Sequence, residues 1–303
     1  MAALMYQIFT SSALVSLGLY HLVHTIRNFL KSPRDYSAKP FHPFSLSSNS
    51  HGRLRLLPLY LTIFFLLLAF IHQIVVSADS DPLLKGHTPV HRFTSLQSAG
   101  VIFLFLLLSI LILLSESTSI LPFPSDLFFG LASAFFYLQY AVSSAQASVQ
   151  TSDLQARCDS LSARISALSS LLCLVLACIP RLFVADVGLG SSICLQGLWA
   201  LQTGLSLYVE AFIPEGCHQL LDVVSGVEGS TKCELEESKL RAVAILDLAF
   251  VVHVMFVMLV LFLLYAVVSR AVGVTRRYGS YEALPINADT NHVQLKTLGG
   301  TQA

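Results

Sequence analysis

Residues 56–76 read LLPLYLTIFFLLLAFIHQIVV. No residue in this stretch carries a fixed charge, and its polar members are confined to Tyr60, Thr62, His72 and Gln73. A bilayer core about 30 Å thick is crossed by about 20 apolar residues of α-helix, so the length and composition match a membrane span. The rest of the chain has the same character. Of its 303 residues, 54% are hydrophobic and only 12% are charged, and its mean hydropathy is +0.70. A soluble domain carries roughly 25% charged residues, so this chain has too few to cover a water-facing surface. Its formal net charge of +0 excludes a nucleic-acid partner, which would require a basic face.

Working outward from that segment, six further runs are long enough to cross a bilayer. The full set covers residues 4–26, 56–76, 93–115, 126–147, 160–183, 187–212 and 242–268. The expected fold class is all-α, a polytopic bundle of seven transmembrane helices over residues 1–270, followed by a disordered cytosolic tail over 271–303. The first run is read as a retained helix rather than a signal peptide. It lacks a basic start, and His21, His24 and Arg27 follow where a small-residue cleavage site would lie.

Lys and Arg distribution sets the expected orientation. Seven of the 18 Lys and Arg residues fall on the side of the N-terminus, and the other eleven fall on the opposite side with the tail. The positive-inside rule then puts the C-terminus in the cytosol and the N-terminus in the lumen or exterior. On the cytosolic side the first loop, SPRDYSAKPFHPF (32–44), carries three prolines and cannot be helical throughout. LPFPSD (121–126) is a turn with Ser125 or Asp126 as the expected N-cap. The tail beyond Arg277 is polar and aperiodic. Within it, Tyr281 and Leu284 fit a tyrosine-x-x-hydrophobic sorting signal that a cytosolic adaptor could read. Membrane lipids are the other expected partner, favoured at the cytosolic leaflet by Arg270, Arg276 and Arg277.

The sixth segment is the most informative for packing. At 100° per residue, Gly197, Ala200 and Gly204 share a face, and Ala200 with Gly204 forms a small-xxx-small pair. Gln196, Trp199 and Thr203 line the neighbouring face. Amides in so apolar a run are read as hydrogen-bonded to adjacent helices, with a pocket for a polar substrate as the alternative.

These residues also carry a resemblance. LQGLWALQTGLSLY (195–208), IPEGC (213–217), a downstream cysteine and KLRAVAILDLAF (239–250) resemble the transmembrane protein 45 family, in particular its plant branch. The matching positions are Gln196, Gly197, Trp199, Gly204, Ile213, Pro214, Gly216, Cys217, Cys233, Arg241 and Ala242. GLYHLVHTIRNF (18–29) is similar to the family's end of helix one, with Tyr20 in place of a tryptophan. The family's intramembrane histidines have no counterpart in FFYLQYAVSSAQAS (135–148). The resemblance implies a helix count and order, and brings no reaction with it.

Three constellations remain. Cys217 and Cys233 share a loop on the expected lumenal side, an oxidising compartment, and are expected to form a disulfide. His72, Glu210, His218 and Asp247 are expected to approach the lumenal end of the bundle as a candidate polar cluster. His21 and His24 share a helix face at the other end and are expected to snorkel toward headgroups. No phosphate-binding loop, nucleophile elbow or zinc motif is present, so no catalytic residue, metal or cofactor is assigned. The reading is a non-enzymatic multi-pass membrane protein with a structural or trafficking role. A transporter of a small polar solute through a lumen-facing cavity is the alternative, and a metal-dependent hydrolase is disfavoured.

Overall fold

Each apolar run becomes a helix because lipid offers backbone groups no hydrogen bonds, and the helix satisfies them internally. The computed structural model describes residues 2–43, 54–78, 90–118, 122–150, 152–221 and 228–273. Among these, α1 (Ala2–Lys31), α2 (Leu57–Ala78), α3 (Val90–Ser117), α4 (Ser125–Val149), α5 (Asp153–Cys178), α6 (Phe183–Tyr208) and α7 (Glu236–Ala271) follow in chain order. All seven are long and apolar enough to cross a membrane. The chain is a multi-pass membrane protein built as a helical bundle. The proposed tail, with Tyr281 and Leu284, lies outside the described residues.

Several helices start earlier than expected, α7 at Glu236 rather than 242 among them. α5 begins at Asp153 rather than near residue 160 because Ser152 caps it, its Oγ accepting from the Gln155 amide at 3.4 Å. It ends at Cys178, just before Ile179-Pro180, since proline cannot continue a helix and disfavours helical geometry before it. α6 therefore starts at Phe183, which draws Asp186 into its first turn and leaves Glu210 beyond its end in a short 3-10 turn. At α4 the cap is Pro124, with φ −69°, and neither Ser125 nor Asp126 serves as the N-cap.

The linker between α6 and α7 is not a plain loop. β1 (Cys217–Leu221) and β2 (Glu228–Cys233) pair antiparallel, with Cys217 opposite Cys233, and a disulfide joins these two residues. IPEGC makes the turn into β1: the Cys217 amide donates to the Pro214 carbonyl at 3.1 Å. Gly216 sits in that turn at φ +83°, where a side chain is strained, and a Cβ there would also strike Ser238. The hairpin is anchored on the bundle through Thr231. Its carbonyl accepts from Ser152 Oγ at 2.5 Å, and its hydroxyl donates to the Leu207 carbonyl at 3.2 Å.

α6 is the central helix: 56% of its most apolar window is buried, against 6% for α2. Its small-residue seam runs through Gly190, Gly197 and Gly204, seven residues apart and so on one face. Each glycine receives α1 side chains, from Leu22 and His21, from Leu14 and Val15, and from Gln7 respectively. Its other face uses the polar residues. Gln196 donates to Ser162 Oγ at 2.6 Å, and the Trp199 indole donates to the Cys158 carbonyl at 3.0 Å, so both bond to α5. Trp199 is buried edge-on against Phe250 of α7. Gln202 instead bonds within its own helix, to Ser206.

Candidate functional site

The last turns of α1 present Tyr20, His21, His24, Thr25 and Asn28, spaced three or four residues apart so that they share a face. Beyond Lys31 the chain turns back over this face. Pro33, Pro40 and Pro43 exclude helix there, and the segment docks by donating the Ala38 amide to the Pro180 carbonyl at 2.7 Å. Tyr36 packs edge-on against Phe29 and Phe183, which stack on each other at 3.9 Å. The proline loop thus ties together the ends of α1, α5 and α6.

At the centre lies Asp186, with no exposure to solvent. Its Oδ1 is 2.8 Å from His21 Nε2. Its Oδ2 accepts from Thr25 Oγ1 at 3.2 Å and Tyr36 OH at 2.5 Å. A buried carboxylate is tolerated only when paired and hydrogen-bonded, and these three groups meet that requirement. Burial first, and then the negative charge of Asp186, hold the Tyr36 hydroxyl well above the usual phenol range, so it stays a donor. His21 is therefore turned inward onto an acid and does not reach the headgroups, contrary to the sequence expectation.

His42 sits above this pair. It is 5% exposed, stacks on His24 at 5.6 Å and lies 5.5 Å from His21. Its carbonyl accepts from Tyr20 OH at 2.6 Å. Asn28 Nδ2 lies 3.2 Å from its Nδ1. With the amide donating there, the ring proton is on Nε2, and Nε2 is buried without a partner among the described residues. Burial, followed by the charge of His21, pushes the His42 imidazole down to about 3, although Asp186 opposes this. It is a neutral ring offering one unused hydrogen bond.

Beneath this polar pole is a cavity of about 280 Å³, bordered by the proline loop and by every helix except α7. Its wall is mostly aromatic and aliphatic, including Phe105, Leu108, Phe129 and Leu189. Tyr20, His21 and His42 border it at one end, and Gln196 borders it deeper in the bundle. The Gln196 Oε1 is also buried without a partner among the described residues.

The four residues expected at the opposite, hairpin end each have separate surroundings. His72 stacks on Tyr6 at 3.9 Å. Asp247 forms a two-bond ion pair with Arg157, at 2.7 and 2.6 Å. His218 is 3.9 Å from Glu234, and Glu210 is exposed in its 3-10 turn. Among the described residues, no hydrogen bond, ion pair or ring contact joins any two of these four, and no group of three His, Cys, Asp or Glu side chains is placed to hold a metal ion. Sequence reasoning missed Asp186, Tyr36 and His42. The available signal was a lone acid at the edge of an apolar run, together with a proline-rich loop containing Tyr and His.

A model of a family of unknown function, DUF716, matches residues 125–266. The match runs from α4 into α7, so it includes Asp186 and Gln196 and excludes His21, Tyr36 and His42. No curated protein matches the chain.

Proposed function

We propose that this multi-pass membrane protein is a non-enzymatic binding protein, which takes a small membrane-soluble molecule into the cavity under its proline loop. The observation that carries this reading is the cavity itself. Six helices and a docked loop border about 280 Å³ of largely apolar space, close to the lower end of ligand-site volumes at roughly 300 Å³. The finer family reading is the plant branch of the transmembrane protein 45 family. It rests on the Gln196–Trp199 and Pro214–Cys217 elements, and on the match to a family that includes such proteins. The chain would reside in the secretory or endosomal system or the plasma membrane, with its N-terminus outside and its tail facing the cytosol. That orientation puts the proline loop and the cavity's polar end on the cytosolic side. Retrieval by an adaptor through Tyr281 and Leu284 would fit a trafficking role. The solute route expected at the lumenal end has less support, because none of Gln202, Glu210 and Asp247 borders the cavity.

The test is labelling in native membranes with a small apolar diazirine, mapped by mass spectrometry. Leu108, Phe129 and Leu189 border the cavity and are shielded from the bilayer. They should be labelled, and Ala132→Phe, which fills the cavity wall, should abolish this. Labelling restricted to exposed positions such as Phe64 and Phe262 would overturn the reading.

A further inference from the structure

The cavity's size, its lining and its two unused polar atoms together narrow the ligand, taking the binding reading above as given. Size comes first. An engineered cavity of about 150 Å³ holds benzene, so 280 Å³ has room for roughly a dozen non-hydrogen atoms. A sterol or a whole phospholipid exceeds that volume, which suits a single short chain or a compact ring. The lining comes second. Phenylalanine, leucine and isoleucine from the proline loop and from α1, α2, α3, α4 and α6 supply most of the wall, so most of the ligand is hydrocarbon.

The polar pole decides the head group. His42 lies in the docked loop and borders the cavity, with Nε2 unpartnered. Its Nδ1 is taken by Asn28, so Nε2 is a donor and calls for an acceptor. Among the described residues no Lys or Arg borders the cavity to neutralise an anion; Lys39, whose charge acts on His42, lies outside its lining. Asp186 already holds His21 at 2.8 Å, and a second carboxylate brought to this pole would be desolvated beside the first. Ammonium would fare no better, since the Asp186 oxygens are occupied by His21, Thr25 and Tyr36. Deeper in, Gln196 Oε1 is an acceptor without a donor. It lies beside Ser162 on the α5 side of α6 and offers a second, weaker polar contact to a hydroxyl.

We propose that the cavity binds an uncharged single-chain amphiphile of about a dozen non-hydrogen atoms, whose one oxygen accepts a hydrogen bond from His42 Nε2. A medium-chain alcohol, aldehyde or ketone meets this description; a fatty acid anion and a pure alkane do not.

The experiment extends the diazirine labelling to competition. The full-length protein in nanodiscs is labelled at Leu108, Phe129 and Leu189 in the presence of 1-decanol, decanoate or decane. Labelling of Phe64 and Phe262 serves as the control for effects on the bilayer. The expected order is displacement by decanol at the lowest concentration, with decanoate and decane both weaker. His42→Phe keeps a ring and removes the donor. It should raise the decanol concentration needed by roughly three- to tenfold, the scale of one net hydrogen bond, and leave decane unchanged. Decanoate as effective as decanol would overturn the uncharged head group. Decane as effective as decanol, or an unchanged His42→Phe, would overturn the role of His42. The competitor order in wild-type protein needs no variant, so a His42→Phe that failed to fold would not remove the test. Absence of cavity labelling before any competitor is added would instead refute the binding reading itself.

Discussion

Replacing Gly18 by alanine should separate α1 from α6. A Cβ built at Gly18 lies 2.5 Å from Cys194 Sγ, 2.8 Å from the Cys194 amide nitrogen and 2.9 Å from the Gly190 carbonyl oxygen. The thiol can rotate away, but the two backbone atoms cannot. Ordinary contact begins near 3.4 Å, so the helices must part by about half an ångström. Forcing a methyl group into a packed interior costs about 1–3 kcal/mol. Alanine's better helix propensity returns up to about 1 kcal/mol. With two of the three contacts made to backbone, the upper half of that cost applies and the net loss should be about 1–2 kcal/mol. Gly130 and Gly100 provide the comparison, because a Cβ at either meets nothing within 4 Å, and alanine there should be neutral or stabilising. The assay is reversible unfolding in mixed micelles, followed by the fluorescence of Trp199, the single tryptophan of the chain. Gly18→Ala as stable as wild type, or Gly130→Ala losing as much, would refute the close-packed seam.

Asp186→Ala should be among the most damaging substitutions. It strands His21, Thr25 and Tyr36, and breaking a buried pair costs about 3–5 kcal/mol; the same unfolding assay reads it. Cys217→Ser should destabilise the hairpin by about 3 kcal/mol, the chain-entropy value for a loop of this size. Limited proteolysis should then cut between β1 and β2 in the variant, and in wild type only after reduction. Acid should loosen the proline loop. His42 is held neutral in the folded protein, near 3 against an ordinary 6.5, so the undocked loop binds the proton more readily. Its contribution is complete above about pH 6.5 and is lost as pH falls toward 3, at up to about 1.4 kcal/mol per pH unit. Hydrogen exchange at the Ala38 amide should accelerate in wild type relative to His42→Phe over that window, and a constant ratio would rule the mechanism out.

The bundle was legible because lipid imposes one rule on every segment: an uninterrupted apolar run about 20 residues long must be a helix. The same rule blurred the helix ends. Ser152 extends α5 into a polar stretch that hydropathy assigns to a loop, and the end of α5 at Cys178 lets α6 begin at Phe183. That shift concealed Asp186. That Gln196 bonds to a neighbouring helix followed from its position in an apolar run, where a bare amide is costly; Gln202 bonds within its own helix instead. The seam partner did not follow. Glycine spacing shows that a helix will approach closely, but α1 is identified only by tertiary contact. The polar pole was harder still, because His21 and Asp186 are 165 residues apart in the chain, and helix periodicity carries no information at that distance.

That separation has a consequence for how the protein is made. Thr25 and His21 leave the ribosome long before Asp186, which lies 161 and 165 positions further on. At about 5–20 residues per second the wait is roughly ten to thirty seconds. Throughout it, the α1 face that packs on the α6 glycines and the polar end of α1 are unmatched. The newborn first helix must therefore be held at the insertion machinery, or sheltered by a companion, until the sixth arrives to receive it.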